Sequence, residues 1–164
     1  MDTESIRLSY RPKRINVLFV GESAPASGKF FYKADPPVFR EIRRAFSQHF
    51  GLRCEDREFL DWFKASGCFL DDLVHTHIND KASGARKAAR SASVESLASR
   101  IAEYRPKTII SIMKAIDPYV KDARRKSGIC TKYFCVPFPG YHWQREFRHE
   151  MCKLLPNLPI SQQP

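Results

Sequence analysis

Four short apolar stretches recur along the chain, and each is followed by a polar or glycine-containing segment. They cover residues 15–20, 68–74, 108–113 and 133–136, and the first is the run Ile-Asn-Val-Leu-Phe-Val that stops at Gly21. Nearly continuous apolar runs of this length are typical of strands that are buried on both faces of a parallel sheet. The pattern therefore predicts four strands.

The intervals between these stretches carry apolar residues at helical spacing. Such spacing predicts helices within residues 38–50, 59–67, 94–102 and 115–123, and a last helix with Trp143 on its apolar face. Residues 75–92 have no hydrophobic period, so we expect a long loop there. Strands that alternate with helices predict an α/β fold of three layers, α/β/α, around a central four-stranded, mostly parallel sheet.

The length of 164 residues suits one domain with a proper core. We place this domain at 15–156, because the sequence shows no internal repeat and no boundary within it. Residues 1–14 are predicted to be a polar, basic N-terminal arm, and 157–164 a C-terminal tail.

Charge narrows the choice of partner. The net charge of +10 indicates a polyanion, with nucleic acid as the first candidate and an anionic membrane surface as the second. No apolar run approaches the roughly 20 residues that span a bilayer, and 1–14 has no apolar signal-peptide core. We therefore expect a cytoplasmic or nucleoid-associated monomer that does not enter the membrane.

The cysteines argue against a metal site. There are five, an odd number, and no two are arranged as Cys-x-x-Cys. This pattern speaks against a disulfide framework and against a zinc or iron–sulfur centre. No metal and no other cofactor is predicted.

Candidate site residues lie just after the strands, because ligands of open parallel sheets bind beyond the carboxyl ends of the strands. The segment after the first strand is rich in glycine and ends in Gly28-Lys29. A phosphate-binding loop would need four residues between its glycines and a Ser or Thr after the lysine. Here six residues separate Gly21 from Gly28 and Phe30 follows the lysine, so that interpretation fails.

Residues 21–31, Gly-Glu-Ser-Ala-Pro-Ala-Ser-Gly-Lys-Phe-Phe, resemble the first motif of the uracil-DNA glycosylase superfamily. In that motif a buried strand ends in Gly, followed by a polar or acidic residue, a Pro-containing turn and an aromatic residue. The later order of features also resembles the superfamily: a strand ending in acids, another strand, then a strand with a Pro-rich turn and a helix. The resemblance extends from Ile15 to Leu155 and is to a short, metal-free member.

The resemblance implies an enzyme that flips a deaminated base, uracil first of all, out of single- or double-stranded DNA. It would hydrolyse the N-glycosidic bond and leave an abasic site. Glu22 or Ser23 would position the water, and His142 would stabilise the departing base anion. Two positions depart from the family pattern, because the best-known branches have Asp where Ser23 lies, and Phe138 stands where a strict alignment puts the His.

The same resemblance assigns the base-binding residues. Phe31, with Phe30 beside it, would stack on the flipped base. Asp71 or Asp72 would contact the edge of the base, at the place where the family usually has an Asn. An ionised Asp accepts hydrogen bonds but cannot donate one, so the identity of the base stays open.

Two segments are predicted to contact DNA. Residues 81–90 carry Lys81, Arg86, Lys87 and Arg90 without an acid, a composition that suits a mobile loop neutralising phosphates. By the resemblance, Pro139, Gly140 and Tyr141 of the Pro-rich turn would pack against the DNA groove.

Three alternatives remain. A nucleic-acid-binding protein on the same scaffold would need no chemistry, and the departures from the family motifs favour it. A glycosylase for a deaminated purine such as hypoxanthine would use the same machinery. A flavodoxin-like enzyme for a small nucleotide is disfavoured, because no segment is suited to cradle a phosphate.

Overall fold

In the computed structural model, which describes residues 2–161, the four apolar stretches form one sheet. The strands are β1 (Val17–Gly21), β2 (Cys68–Asp72), β3 (Thr108–Ile112) and β4 (Lys132–Val136), in the spatial order β2-β1-β3-β4. Every neighbouring pair is parallel. The predicted four-stranded sheet is confirmed, and it is parallel throughout.

Helices cover both faces of this sheet, so the three-layer α/β/α prediction is also confirmed. Helix α5 packs against α6, and α2 packs against α7. The helices are α1 (Thr3–Ser9), α2 (Pro37–Phe50), α3 (Asp56–Ala65), α4 (Ser83–Ala92), α5 (Val94–Tyr104), α6 (Asp117–Ser127) and α7 (Gln144–Leu154), with short 3₁₀ turns at Phe31–Lys33, Lys114–Ile116 and Leu155–Asn157. No helix within 2–161 has both the length and the apolar character needed to cross a bilayer.

The core explains why the strands read as continuous apolar runs. Residues of β1, β2 and β3 are buried because helices lie on both sides of them. The ring of Phe19 in β1 contacts Phe46 of α2 and Phe63 of α3, with centroids 6.1 and 5.7 Å apart. Burial of such aromatic side chains contributes about 1.5–3 kcal/mol each.

The strand order creates a crevice at one place on the sheet edge. From β1 the chain adds β2 on one side and then β3 on the other, so the order reverses between β1 and β3. Ligands of open α/β sheets bind at such a switch point, outside the carboxyl ends of the strands. This point lies beside Gly21 and Met113, where β1 and β3 end.

The N-terminal segment is not the polar arm that the sequence predicts. Residues 3–9 form α1, whose N-cap Asp2 accepts a hydrogen bond from Ser5 N at 2.8 Å. Arg7 is buried, and its Nη2 donates to Asp72 Oδ2 at 2.7 Å. The arm prediction is wrong because a buried ion pair attaches this helix to the sheet, and Ile6 and Tyr10 pack against the core beside it.

The predicted loop over 75–92 is also wrong in its second half, where Ser83–Ala92 form α4. This helix buries none of its residues. It consists mainly of Ala, Arg and Ser, and Ala and Arg are strong helix formers that leave no hydrophobic period for a pattern search to find.

The C-terminal segment packs on the domain. Leu155 is buried, Leu158 and Ile160 pack against the core, and Ser161 N donates to Ser66 O at 3.1 Å. The predicted tail over 157–164 is therefore attached at least as far as Ser161, and 162–164 lie outside the described residues. Trp143 precedes α7 and is exposed, in contrast to its predicted place on the apolar face.

Two adjacent carboxylates, Asp71 and Asp72, are buried at the end of β2 and are neutralised from the helices. Arg100 of α5 donates to Asp71 Oδ2, and His75 Nε2 lies 2.9 Å from Asp71 Oδ1. Burial alone would raise the pKa of Asp71, but the hydrogen bond from His75 and the charges of Arg100 and Arg7 outweigh it and lower the pKa to about 2. Burial raises the pKa of Asp72, and Arg7 offsets only part of that effect.

Replacement of Arg7 tests the attachment of α1. Arg7→Ala leaves two buried carboxylates without this partner, and loss of one member of a buried pair costs about 3–5 kcal/mol. Arg125→Ala is the matched control, because Arg125 forms an exposed pair with Asp122 and such pairs contribute at most about 1 kcal/mol. Urea unfolding measures both variants, and equal losses would contradict the account.

Acid unfolding tests the state of Asp71. Its carboxyl binds a proton at lower pH in the folded chain than in the unfolded chain, so the free energy of unfolding falls as pH drops from 3.8 to about 2. The loss from this group is about 2 kcal/mol. Asp71→Asn should have a lower stability at neutral pH and a shallower fall over this interval. Parallel curves for the two proteins would show that Asp71 is not held ionised.

Candidate functional site

A cleft of about 640 Å³ opens at the switch point of the sheet. Its walls come from the loop after β1, the start of α2, the segment after β2, the end of β3 and the turn after β4. Side chains that line it are Glu22, Ser23, Pro25, Pro37, Arg40, Glu41, Asn79, Arg86, Met113, Phe138, Pro139, Gly140, Tyr141 and Gln144. The cleft therefore brings together residues from four regions that the sequence singled out separately.

Gly21 fixes how the loop after β1 leaves the sheet. A Cβ at this position would lie 2.6 Å from Asp72 Oδ1, so only glycine fits beside the buried carboxylate. The loop then continues to pair with the segment after β2, because Leu73 N donates to Gly21 O at 2.8 Å and Val74 N to Glu22 O at 2.9 Å. Glu22 is thereby held at the floor of the cleft.

Two arginines of α4 donate hydrogen bonds to the Glu22 carboxylate. Arg90 donates to Oε1 from Nε at 2.7 Å and also from Nη2, while Arg86 Nη2 donates to Oε2. A carboxylate oxygen has about two acceptor sites. Oε1 is therefore saturated, and Oε2 can accept one further hydrogen bond from a molecule in the cleft.

The basic segment 81–90 is thus not a mobile loop. It lies mostly in α4, and two of its four cations, Arg86 and Arg90, pair with Glu22. Lys81 and Lys87 are exposed. The ion pair could not be predicted from the sequence, because Glu22 lies more than 60 positions away along the chain.

Ser23 places an unpartnered hydroxyl at the cleft. Its Oγ is inaccessible to solvent and has no hydrogen-bond partner within residues 2–161. Ser23 lines both the cleft and a smaller inner cavity of about 90 Å³. A buried polar atom without a partner is costly, so a ligand that enters here gains a hydrogen bond.

Phe30 and Phe31, the predicted stacking residues, are core residues. Phe31 is only 3% exposed and makes edge-to-face contacts with Tyr32 and Phe39, at centroid distances of 5.0 and 5.6 Å. Both side chains do line the inner cavity, together with Phe138. A base could reach Phe31 only through this cavity and not at the open surface.

Asp71 and Asp72 do not form a base-reading edge. Asp71 is enclosed by its ion pairs and lines neither the cleft nor the inner cavity, whereas Asp72 borders the inner cavity while bound to Arg7. The prediction failed because the side chains of β2 point into the helix layers, where arginines neutralise them.

Asn79 is a site residue that the sequence analysis missed. Its Oδ1 accepts a hydrogen bond from Ala26 N at 2.9 Å, which leaves the Nδ2 group to donate elsewhere. His77 Nδ1 lies 2.7 Å from Ala24 O, and this contact also joins the segment after β2 to the loop after β1. Asn79 could have been found from its position in the sequence, since it follows β2 and lies on the ligand-binding edge.

The turn after β4 supplies the exposed rim of the cleft. A Cβ at Gly140 would lie 2.7 Å from Phe138 Cε1, so a larger residue here would displace this partly exposed ring. Pro139 and Tyr141 line the cleft. His142, the predicted partner of the leaving base, is exposed with φ at 75° and lies outside the lining of the cleft.

No group of three or more His, Cys, Asp or Glu side chains within residues 2–161 is arranged to hold a metal ion. The site instead offers a carboxylate, a hydroxyl and an amide. No protein-family model matches the sequence, and no curated protein matches it. The site geometry and the motif at residues 21–31 therefore carry the functional argument.

Proposed function

We propose that this protein hydrolyses the N-glycosidic bond of a deaminated base in nucleic acid, with uracil as the first substrate and hypoxanthine as the alternative. The observation that carries the proposal is the position of Glu22, whose carboxylate lies at the floor of a cleft at the switch point of the sheet. The resemblance of residues 21–31 to the first uracil-DNA glycosylase motif supports it independently.

The reaction requires two developing charges to be stabilised. The bond from sugar C1′ to the base nitrogen breaks, both electrons leave with the base, and water then adds to the oxocarbenium-like C1′. Arg86 and Arg90 balance the charge of Glu22, but the free acceptor position of its Oε2 presents a local negative potential to the cationic sugar. Its Oε2 accepts a hydrogen bond from the water, whose proton passes to the leaving base or to solvent.

Donors for the departing base anion come from two other residues that line the cleft. Ser23 Oγ has no partner among the described residues, and Asn79 Nδ2 is directed by the hydrogen bond that its Oδ1 accepts. Together they can donate to carbonyl oxygens on the edge of the base. These two residues replace the roles that the sequence assigned to His142 and to Asp71 or Asp72.

Glu22 acts here by charge and orientation. Two guanidinium groups occupy three hydrogen-bond acceptor positions of the carboxylate, which leaves little room for it to take a proton. A dissociative reaction tolerates this, because water attack on an oxocarbenium ion needs little base assistance. Fixed charges that are already oriented supply much of the stabilisation in many enzymes.

The second candidate is a nucleic-acid-binding protein without chemistry. One observation favours it: both oxygens of Glu22 already accept hydrogen bonds from arginine. The two candidates share a binding site and differ only in the product, which makes detection of abasic sites decisive.

Incubation with single-stranded oligonucleotides that contain uracil, hypoxanthine or xanthine, followed by alkali, tests the proposal. We expect strand cleavage for at least one base. Glu22→Gln should lower the rate by about 10²-fold or more, which corresponds to nearly 3 kcal/mol. Circular dichroism of the variant shows whether α4 remains folded without the charge of Glu22.

Glu41→Gln is the matched control, because Glu41 lines the same cleft and pairs with Arg148 of α7 at 2.7 Å. It should lose less than about tenfold, or 1.4 kcal/mol. Equal losses in the two variants would remove the special role of Glu22. Binding without cleavage of any of the three bases would replace the enzyme with the binding protein.

A further inference from the structure

A second pocket of about 300 Å³ lies beside the cleft, between the end of β3 and the turn after β4. Met113, Phe138, Gly140 and Tyr141 line both spaces, so the two are separated by the thickness of a few shared side chains. The catalytic proposal uses no residue that belongs to this pocket alone.

Aromatic side chains are concentrated around this pocket and are unusually open to solvent. Phe138, Tyr141 and Trp143 are 40%, 91% and 52% exposed, and they comprise all but one of the large exposed hydrophobic residues within 2–161. Lys114 Nζ lies 5.8 Å from the centroid of the Trp143 ring. Aromatic faces beside a cation are what single-stranded nucleic acids bind, through base stacking and phosphate contact.

The backbone around the pocket is strained. Met113, Tyr141 and His142 have φ values of 133°, 44° and 75°, and they are three of the five non-glycine residues with positive φ within 2–161. Such conformations are energetically unfavourable and cluster at ligand-binding sites. Two of the three residues line the pocket itself.

We propose that this pocket binds the base of the nucleotide next to the one in the cleft, which makes single-stranded nucleic acid the substrate class. The inference rests on the proposed function in one respect, that a nucleotide occupies the cleft. Two neighbouring bases can enter two separate pockets only when they are neither paired nor stacked on each other. A single strand meets this condition, whereas a duplex would have to open at both positions.

Intrinsic fluorescence tests the pocket directly, because the chain has only two tryptophans. Trp62→Phe leaves Trp143 as the sole emitter. The probe is a 12-nucleotide oligothymidylate without damaged bases, compared with its duplex with oligodeoxyadenylate. We expect the single strand to quench Trp143 emission and the duplex to change it little at the same phosphate concentration.

Variants then show which residues contribute to the affinity, which is measured by fluorescence anisotropy of a labelled oligothymidylate. Trp143→Ala should weaken binding by about tenfold, within the range for loss of one stacked base. Leu8→Ala is the control, since Leu8 is exposed and lines neither space. Lys114→Ser should lower the slope of log K against log salt by about 0.7, and Lys107→Ser, at the opposite end of β3, should not.

The inference is overturned if the duplex binds as tightly as the single strand, or if Trp143→Ala and Leu8→Ala bind alike. It is also overturned if sedimentation shows that Trp143→Ala abolishes self-association while oligothymidylate binding is unchanged. Oligothymidylate contains no damaged base, so its binding does not depend on cleavage. If the protein binds oligothymidylate but cleaves no base in the alkali assay, the glycosylase proposal is contradicted and the pocket proposal stands. Cleavage with a preference for duplex would contradict the pocket alone.

Discussion

Three carboxylates at the carboxyl edge of β1 and β2 must be neutralised, and arginines from three helices do this. Asp72 is bound by Arg7 of α1, Asp71 by Arg100 of α5, and Glu22 by Arg86 and Arg90 of α4. Removal of one partner from a buried pair is strongly unfavourable. Helices α1 and α4 place only Ile6 and Ala89 against the core, so these charges add to what holds both helices at this edge of the sheet.

The same ion pairs connect the fold to the proposed chemistry. They fix the orientation of the Glu22 carboxylate in the cleft, and a group that is already oriented does not have to reorganise as the oxocarbenium-like sugar forms. The arginines restrict the carboxylate to stabilising and orienting roles. The hydroxyl of Ser23 and the amide of Asn79 then provide the donors that Glu22 cannot supply.

The sequence was sufficient to predict the sheet, because each strand is a short apolar run buried on both faces. It was also sufficient to predict the edge where the site lies, because parallel strands end together. It was not sufficient for α1 and α4, whose attachment depends on ion pairs between residues about 65 positions apart. It also did not predict the burial of Phe31 and Asp71, because a motif gives the order of side chains and not the layer into which each one points. Asn79 was missed because its role depends on a contact with Ala26 from the other loop.

The central claim is that the crevice between the ends of β1 and β3 is the nucleic-acid site. Hydrogen–deuterium exchange with and without single-stranded oligothymidylate tests it most directly, since a ligand slows exchange of the backbone amides that it covers or holds. The account predicts slower exchange in residues 22–28 and 138–144. Slower exchange confined to residues 12–16, at the opposite edge of the sheet, would contradict it.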